Sequence, residues 1–279
     1  MKKIAFIADI FKEQYVGGGE SNDDVLIKYL SVSGYKVDKV QCKDMSRRVL
    51  DYHHTFIIGN FIQLSEEYKS KLSKKKYIVY EHDHKYLSTR DPSIFPNFVA
   101  PPPYIINQLF YQNAHAVVVL SKICKEIIQI NLNLDNIHNI GCSLWTDEKL
   151  NYINSLLDTI KTKDYAIVGS SNPVKGFMQS VRYCNENNIS FDVIQPCNEK
   201  ELLKRLSLYK ILVFFPQVLE TFCRLTAEAK MLNCKLLTKK KMLGFASEKC
   251  FSLNGKELLD DITFRRNNAY ELFLRLIQE

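Results

Sequence analysis

The fold is decided by one stretch of the chain, Ile211-Leu212-Val213-Phe214-Phe215-Pro216-Gln217-Val218-Leu219-Glu220-Thr221-Phe222-Cys223-Arg224-Leu225-Thr226-Ala227-Glu228-Ala229. The apolar run up to Phe215 predicts a short buried strand, which Pro216 ends. The residues from Glu220 onward predict the opening of a helix, with Glu228 a little over two turns deeper on roughly the same side. In a parallel sheet, anionic ligands bind where a strand ends and a helix begins. The stretch therefore predicts a phosphate or sugar-nucleotide site.

Short apolar runs alternate with helical patterns along the chain, which predicts an α/β fold of βα units with parallel sheets. The series restarts after a polar, partly helical stretch over residues 146–164, where we expect a domain boundary. We therefore expect one domain over residues 1–150, a second over 151–261, and a C-terminal amphipathic helix over 262–279 that crosses back to the first domain. The predicted strands are residues 4–8, 37–40, 56–58, 77–80, 116–120, 165–169, 191–194, 211–215 and 235–238.

The composition is that of a folded protein, with 46% hydrophobic and 25% charged residues. Asp9 and Lys12 interrupt the first apolar run before it reaches the length of a signal peptide. No apolar run approaches the roughly 20 residues that span a bilayer, so we expect no transmembrane segment and leave peripheral membrane contact open. The eight cysteines are spread singly, without metal-ligand spacing, which favours a reducing, cytoplasmic location over a disulfide scaffold.

The chain carries a net charge of +7, which suits polyanionic ligands, membrane-surface lipids or nucleic acid without choosing among them. The densest basic run spans residues 69–76 and precedes a predicted strand. A solvated helix face is the favoured interpretation of that run, with a dedicated binding patch as the alternative.

Two glycine-containing turns follow predicted strands. Gly17-Gly18-Gly19-Glu20 precedes a helix expected to begin near Ser21, and glycines there would let backbone N–H groups approach a diphosphate. The spacing is not Gly-x-Gly-x-x-Gly, which disfavours a dehydrogenase, and a flexible surface turn is the alternative. The second turn, residues 169–176, places Lys175 where a strand gives way to a helix, so Lys175 is a candidate cation for phosphate oxygens.

Glu81-His82-Asp83-His84 ends the predicted strand over residues 77–80. The two histidines and their flanking carboxylates could hold a metal ion, but no partner motif supplies a further ligand. We therefore expect no metal here and favour a polar substrate site.

The stretch that opened this section resembles the signature of the nucleotide-sugar glycosyltransferases of the two-Rossmann (GT-B) type, in particular the large retaining family 4. That signature is similar to Pro-x-x-x-Glu-x-Phe-Gly-x-x-x-x-Glu-Ala. Two positions depart from it, because Cys223 replaces the usual glycine and Asn233 stands where a later glycine is common. The matching residues are Pro216, Glu220, Phe222, Glu228 and Ala229.

The resemblance implies two Rossmann-like domains facing each other across a cleft, with the acceptor on the N-terminal side and the donor on the C-terminal side. It implies Glu220 and His82 as catalytic residues, with Glu220 contacting the transferred sugar and His82 contacting the transferred sugar or the acceptor. It implies Glu228 as the ribose ligand. Asp83 and His84 would line the acceptor side. The family has a lysine at the position of Lys175 and an arginine five residues before it. This chain keeps the lysine but has Ser170 at the position of the arginine. The implied donor-binding residues are Gly18, Gly19, Lys175, Phe222, Arg224 and Glu228.

The leading hypothesis is a retaining, metal-independent hexosyltransferase that takes a UDP- or GDP-sugar and needs no other cofactor. Its acceptor would be a glycan, a lipid-linked molecule or modified DNA. The alternatives are a non-catalytic protein that binds nucleotide sugars or nucleic acid, which the change to Ser170 favours, and an epimerase on the same fold. A two-carboxylate hydrolase is less favoured, because two glutamates on one helix tend to hold a ligand along its length and not to flank one bond.

Overall fold

The structure is a computed structural model that describes residues 2–279. The chain divides into two compact units. The first contains residues 2–145 together with Arg265–Glu279, and the second contains Thr146–Phe264. The sequence had placed the boundaries after residues 150 and 261.

The first unit is a parallel α/β sheet of six strands in the order β2-β1-β3-β4-β5-β6. Its strands β1, β3, β4 and β5 are almost wholly buried apolar runs. Such runs form strands that helices cover on both faces of a sheet. The elements in chain order are β1 (Lys3–Ala8), α1 (Gly18–Val32), β2 (Lys36–Gln41), α2 (Arg47–Tyr52), β3 (Thr55–Ile58), α3 (Glu66–Leu72), β4 (Tyr77–Tyr80), α4 (Gln108–Gln112), β5 (Ala116–Val119), α5 (Lys122–Leu132) and β6 (Ile137–Asn139).

The second unit is a smaller parallel sheet of four strands in the order β10-β9-β7-β8. β7 pairs with β8 on one side and β9 on the other. The elements are α6 (Asp147–Ser155), β7 (Lys163–Val168), α7 (Phe177–Glu186), β8 (Asp192–Ile194), α8 (Glu199–Leu206), β9 (Tyr209–Phe214), α9 (Arg224–Met231), β10 (Lys235–Thr238) and α10 (Gly255–Gln278).

The final helix, α10, begins within the second unit, and its last part from Arg265 belongs to the first unit. Within the first unit, the ring of Tyr270 stacks on Tyr29 with centroids 3.8 Å apart, and Phe273 meets Tyr80 edge-on at 5.1 Å. The helix therefore supplies part of the first unit's aromatic core. It starts at Gly255, seven residues before the start expected from the apolar spacing.

The parallel α/β prediction is confirmed, and each predicted strand is present with ends that differ by at most two residues. The sequence missed β6, because Ile137–Asn139 is short and carries two polar residues. Among the helices of residues 2–279, none is both long and apolar enough to cross a membrane.

Candidate functional site

The second unit has a topological switch point between β7 and β9. From β7 the chain moves outward to β8, then returns to form β9 on the other side of β7, so these two neighbouring strands have connections that diverge. Ligands of open α/β sheets bind in the crevice outside the carboxyl ends of such strands. The turns that follow Val168 and Phe214 flank that crevice.

Gly176 allows these two turns to pack in direct contact. It has a φ of +66°, and a Cβ built on it would lie 1.7 Å from the carbonyl oxygen of Phe215, so only glycine fits. The Gln217 N–H donates to the carbonyl of Val174 at 2.8 Å, which ties the turn after β9 to the turn after β7. Asn172 caps the short 3₁₀ turn Pro173–Lys175 by accepting from the Val174 N–H at 3.1 Å.

This arrangement brings Lys175 and Glu220 into an ion pair, with Nζ and Oε1 2.8 Å apart. The lysine side chain is 44% exposed and the glutamate only 13% exposed. Glu220 is held by its backbone, because its N–H donates to the carbonyl of Met242 at 3.0 Å and its carbonyl accepts from Gly244 at 2.8 Å. The site thus combines a fixed carboxylate with a cation that solvent can reach.

The prediction that a helix opens at Glu220 is wrong. Glu220 forms an isolated parallel bridge with Leu243, Thr221 and Phe222 form a bend, and α9 begins only at Arg224. The physical cause is Cys223, whose φ of +76° is left-handed and cannot belong to a right-handed helix. Glu220 and Glu228 therefore stand on a loop and a helix respectively.

Cys223 and Asn233 keep a glycine-like backbone at both positions where the sequence departs from the glycosyltransferase signature. Their φ angles are +76° and +60°. A left-handed φ costs a residue with a Cβ roughly 1–2 kcal/mol, and asparagine tolerates it better than most. The loop geometry that glycine usually serves has been retained without glycine.

Glu228 lies in a buried charge cluster with a partner that the sequence did not indicate. Its Oε1 lies 2.5 Å from Nζ of Lys149 and 3.9 Å from Nε of Arg224. Lys149 also forms an ion pair with Glu199. Lys149 was missed because it lies in α6, a polar segment that the sequence analysis treated only as a boundary.

Phe222, expected to bind the donor, is buried and packs against Phe245 with ring centroids 5.2 Å apart. The Phe245 N–H also donates to the carbonyl of Phe222 at 2.9 Å. In this structure Phe222 anchors the loop that carries Glu220.

In the first unit, the helix that follows the first strand begins earlier than expected, within the run of glycines. The helix α1 begins at Gly18, so Gly18 and Gly19 lie in its first turn and not in a loop before Ser21. A Cβ on Gly19 would lie 3.4 Å from Cβ of His82, which is an ordinary contact distance, so the first turn of α1 lies beside His82.

His82 is fixed by Asp23, a residue of α1 that the sequence analysis did not single out. Nε2 of His82 lies 2.7 Å from Oδ1 of Asp23, and both side chains are buried. Gly59, directly after β3, makes room for this carboxylate, since a Cβ there would lie 2.5 Å from Asp23 Oδ2. Only the structure brings Asp23 and His82 together, because they are 59 residues apart.

Asp83 and His84, the predicted acceptor-side residues, have different environments. Asp83 is partly exposed and forms an ion pair with Arg90. His84 is buried, with Nδ1 3.2 Å from the Tyr86 hydroxyl, and burial lowers the pKa of His84 to about 4. An enclosed, neutral imidazole does not line an acceptor surface, so this geometry opposes the role expected of His84.

The chain beside these histidines is anchored by a buried network. Glu81 accepts from Lys85 Nζ at 2.6 Å and from the Tyr111 hydroxyl, and all three side chains are buried. Burial opposes ionisation of Glu81, but Lys85 and Tyr111 outweigh it and lower the pKa of Glu81. Within residues 2–279, no group of three His, Cys, Asp or Glu side chains is placed to hold a metal ion.

The first unit also contains a cavity of about 450 Å³ near the carboxyl ends of β1 and β2. It contains none of the predicted acceptor-side residues. Its lining is mixed in charge and polarity and consists of Phe11, Glu13, Gln14, Lys39, Val40, Gln41, Asp44 and Val49.

Comparison with known proteins shows similarity in structure and not in sequence. No protein-family model and no curated protein sequence matches the chain. HepE of Anabaena, in complex with UDP and glucose, aligns over 99% of this chain and 100% of its own, with 10% identity and a TM-score of 0.57. An alpha-glucosyltransferase in complex with UDP and a 13-mer DNA containing an HMU base aligns over 99% of both chains, with 12% identity and a TM-score of 0.53.

The catalytic domain of starch synthase IV from Arabidopsis thaliana, bound to ADP and acarbose, aligns over 99% of this chain and 94% of its own, with 10% identity and a TM-score of 0.57. All three neighbours span both units of the chain. The fold is therefore GT-B, as the resemblance in the second unit had implied.

Proposed function

We propose that the chain is a glycosyltransferase that moves a sugar from a nucleotide-sugar donor to an acceptor. The observation that carries the proposal is the Lys175–Glu220 pair, 2.8 Å apart, at the switch point of the second sheet. Crevices of this kind bind nucleotides in open α/β sheets. The neighbours of this fold in complex with UDP or ADP support a nucleoside diphosphate as the leaving group.

Each candidate residue of the second unit would have one role in the reaction. Departure of a nucleoside diphosphate builds negative charge, which Lys175 and Arg224 would stabilise. Glu220, with its backbone fixed on both sides, would accept hydrogen bonds from sugar hydroxyls near the reacting carbon. Glu228 would accept from the ribose, and Lys149 would position its carboxylate.

In the first unit, His82 remains the candidate for contact with the transferred sugar. The hydrogen bond to Asp23 would fix its ring orientation and favour an imidazole that keeps its proton on Nε2. Asp83 remains a candidate on the acceptor side, whereas we no longer place His84 there.

The finer features of the proposal are retention of anomeric configuration, independence of a metal ion, a UDP- or GDP-sugar donor and a cytoplasmic location. The resemblance of the Glu220 segment to family 4 supports the first three, and eight free cysteines suit a reducing compartment. The anomeric proton coupling in the product, read by nuclear magnetic resonance, tests retention directly.

A screen of purified protein identifies the donor. Thermal stabilisation and diphosphate release are measured with UDP-, GDP-, ADP-, dTDP- and CMP-sugars, without and then with a divalent metal. We expect one nucleotide to stabilise the protein and its sugar to be released slowly without metal. No stabilisation by any of the five at millimolar concentration would contradict the proposal.

Glu220→Gln separates catalysis from binding. The amide keeps the shape of the side chain but removes the charge, so turnover is expected to fall while nucleotide affinity changes little. Glu186→Gln, the same change at an exposed position at the end of α7, is the matched control and should leave both unchanged. Equal turnover in the two variants would remove Glu220 from the mechanism.

A second candidate is a binding protein that has kept the fold and lost turnover. Ser170 favours it, because this position lacks the expected arginine and its hydroxyl only accepts from the Asn172 N–H at 3.2 Å. Ser170→Arg tests this alternative, since a transferase limited by charge at the leaving group should gain turnover and a binding protein should gain affinity alone.

The acceptor would be a glycan, a lipid-linked molecule or modified DNA. The DNA hypothesis is supported by the net charge of +7 and by the neighbour in complex with DNA containing an HMU base. Transfer of labelled sugar to duplex DNA with and without hydroxymethylated bases distinguishes it from the other two. If substitution of exposed lysines by glutamine left the rate of transfer to DNA unchanged, positive charge would not explain the use of DNA as an acceptor.

A further inference from the structure

The cavity at the carboxyl ends of β1 and β2, which we call the β1–β2 cavity, has no role in the reaction as described so far. Its volume of about 450 Å³ lies within the range of about 300–1,000 Å³ that small-molecule sites occupy. Phe11, Val40 and Val49 supply its apolar lining, and polar side chains of β2 and of the segments after β1 and β2 supply the rest. An apolar lining with a few placed polar groups is the usual composition of a ligand site.

Two glutamines of the lining are held in one orientation. Gln41 Nε2 donates to the backbone carbonyl of Asp9 and to Oε1 of Gln14, both at 3.0 Å. Gln14 Oε1 also accepts from the Phe11 N–H at 3.0 Å. These bonds use the amino group of Gln41 and the carbonyl oxygen of Gln14, so Gln41 Oε1 remains as an acceptor and Gln14 Nε2 as a donor for a ligand.

The loop that carries Gln14 is itself fixed to the sheet. The carboxylate of Asp9, at its start, accepts from the N–H groups of Ile62 and Gln63 at 2.8 and 2.9 Å. Within the loop, the Gln14 N–H donates to the carbonyl of Phe11 at 2.9 Å. The wall of the cavity is therefore formed before a ligand arrives, which lowers the entropy cost of binding.

The charges of the lining do not form an anion site. Lys39 is the one cation of the lining, and its Nζ lies 2.5 Å from Oε1 of Glu13, which also lines the cavity. The exposed side chains of Lys43, Arg47 and Arg48 follow β2 but do not line the cavity. A phosphate group in the cavity would have to compete with Glu13 for Lys39, so a ligand without charge is favoured.

We propose that the β1–β2 cavity binds one sugar unit of a glycan acceptor, an inference that rests on the proposed function because it names the acceptor of that transfer. Each sugar hydroxyl both donates and accepts hydrogen bonds, so a sugar can donate to Asp44 and to Gln41 Oε1 while it accepts from Gln14 Nε2. Among residues 2–279, nothing forms a hydrogen bond or an ion pair with the exposed Asp44 carboxylate, so a hydroxyl displaces no partner there. The C–H groups of the sugar ring can lie on the apolar lining.

The position of the cavity in the sheet sets the length of the acceptor. All the strands from β2 to β4 are parallel, so the cavity lies at the same edge of the sheet as His82, which follows β4. β1 and β3 lie between β2 and β4, and three strand spacings amount to about 14 Å. That distance is longer than one sugar ring. The sugar in the cavity is therefore remote from the reacting hydroxyl, and the acceptor is an oligosaccharide whose remote unit contributes binding energy.

Isothermal titration calorimetry on the full chain without donor tests the proposal. The probes are tetrasaccharides of α-1,4-linked glucose, β-1,4-linked glucose, galactose, mannose and N-acetylglucosamine. We expect one of them to bind, and the same oligosaccharide to receive labelled sugar once the donor is supplied. Binding of none of the five would overturn the proposal.

One variant locates the site. Asp44→Ala should weaken binding of that oligosaccharide by roughly ten- to a hundredfold, because a hydrogen bond to a charged group is lost. Asp51→Ala is the matched control, since Asp51 is an exposed aspartate of α2 outside the lining, and it should bind like the parent. Both positions are exposed, so folding should be preserved, which circular dichroism verifies. Oligosaccharide binding that Asp44→Ala leaves intact would overturn the assignment to this cavity.

The nucleotide screen, run on the same protein, separates this inference from the proposed function. Stabilisation by a nucleotide without binding of any oligosaccharide would overturn the glycan site and leave the glycosyltransferase. Oligosaccharide binding without stabilisation by any nucleotide would overturn the acceptor role and leave a carbohydrate-binding protein. Binding of duplex DNA that Asp44→Ala strengthens, without oligosaccharide binding, would reassign the cavity to nucleic acid.

Discussion

Gly176→Ala should damage the candidate site through its backbone. Two costs add together. A left-handed φ costs alanine roughly 1–2 kcal/mol, offset by about 0.4–1 kcal/mol because alanine restricts the unfolded chain. The new Cβ would also lie 1.7 Å from the carbonyl oxygen of Phe215. Forcing the backbone apart adds about 1–3 kcal/mol, as other overpacked sites do.

Gly34→Ala is the matched control. Gly34 has a φ of +89°, but a Cβ there would meet nothing within 4 Å. It carries the conformational cost without the overlap, so the difference between the two variants reports the contact with Phe215. We expect Gly176→Ala to be the more destabilising by about 1–3 kcal/mol.

Amide hydrogen exchange resolved by mass spectrometry is the appropriate measurement, because it reads each unit separately. The loss of protection in peptides 172–180 and 213–217 of Gly176→Ala should exceed the loss around residue 34 in Gly34→Ala by roughly 5- to 150-fold, which corresponds to that energy difference. Stabilisation by the donor nucleotide should fall too, since Lys175 is displaced. An equal local loss of protection around the changed residue in the two variants would refute the argument that the contact between Gly176 and Phe215 requires glycine.

The remaining predictions concern titration, a buried charge and backbone strain. His84, with its pKa lowered by burial to about 4, stays neutral when folded but takes up a proton when unfolded below its ordinary value of 6.5. Its stabilising contribution is therefore lost as pH falls from 6.5 to about 4, by about 1.4 kcal/mol per pH unit and about 3 kcal/mol in all; urea unfolding of His84→Phe should show a shallower decline than the parent. Lys149→Met should destabilise the second unit by about 3 kcal/mol because it strands the buried carboxylate of Glu228, and adding Glu228→Gln should restore at least half of that loss in the same assay. Thermal unfolding should show Cys223→Val to be destabilised by about 2 kcal/mol or more, since a β-branched residue resists a φ of +76°, whereas Cys223→Gly should remain within about 1 kcal/mol of the parent. Equal stability of the valine and glycine variants would show that the left-handed backbone carries no cost.

The sequence predicted strands better than it predicted contacts. Buried strands of a parallel sheet are continuous apolar runs, so Tyr77–Tyr80 and Ala116–Val119 could be read directly. The adjacency of Lys175 and Glu220 depends on which strand lies beside β7, and that order is a property of the whole sheet. The resemblance suggested both residues, but only the structure shows them paired.

Two neighbouring histidines show why local pattern failed at the candidate site. His82 and His84 are two residues apart and equally polar, yet one pairs with Asp23 and the other is enclosed beside Tyr86. A left-handed φ of 51° at His84 changes the direction of the chain there. The alternation of polar and apolar residues in the sequence does not predict this change. Asp23 and Lys149 were missed for a related reason, because each acquires its role from a partner distant in sequence.

The division of α10 between the two units has a consequence for how the protein is made on the ribosome. The first sheet is complete by Trp145, but the helix segment that stacks Tyr270 on Tyr29 begins at Arg265, about 120 residues later. At bacterial and eukaryotic elongation rates of about 5–20 residues per second, that interval lasts on the order of ten seconds. Throughout it, the aromatic side chains that α10 covers have no native partner from the helix. The unit whose sheet is synthesised first is thus completed only after the second unit, and its exposed aromatic surface has to be protected until α10 has been synthesised.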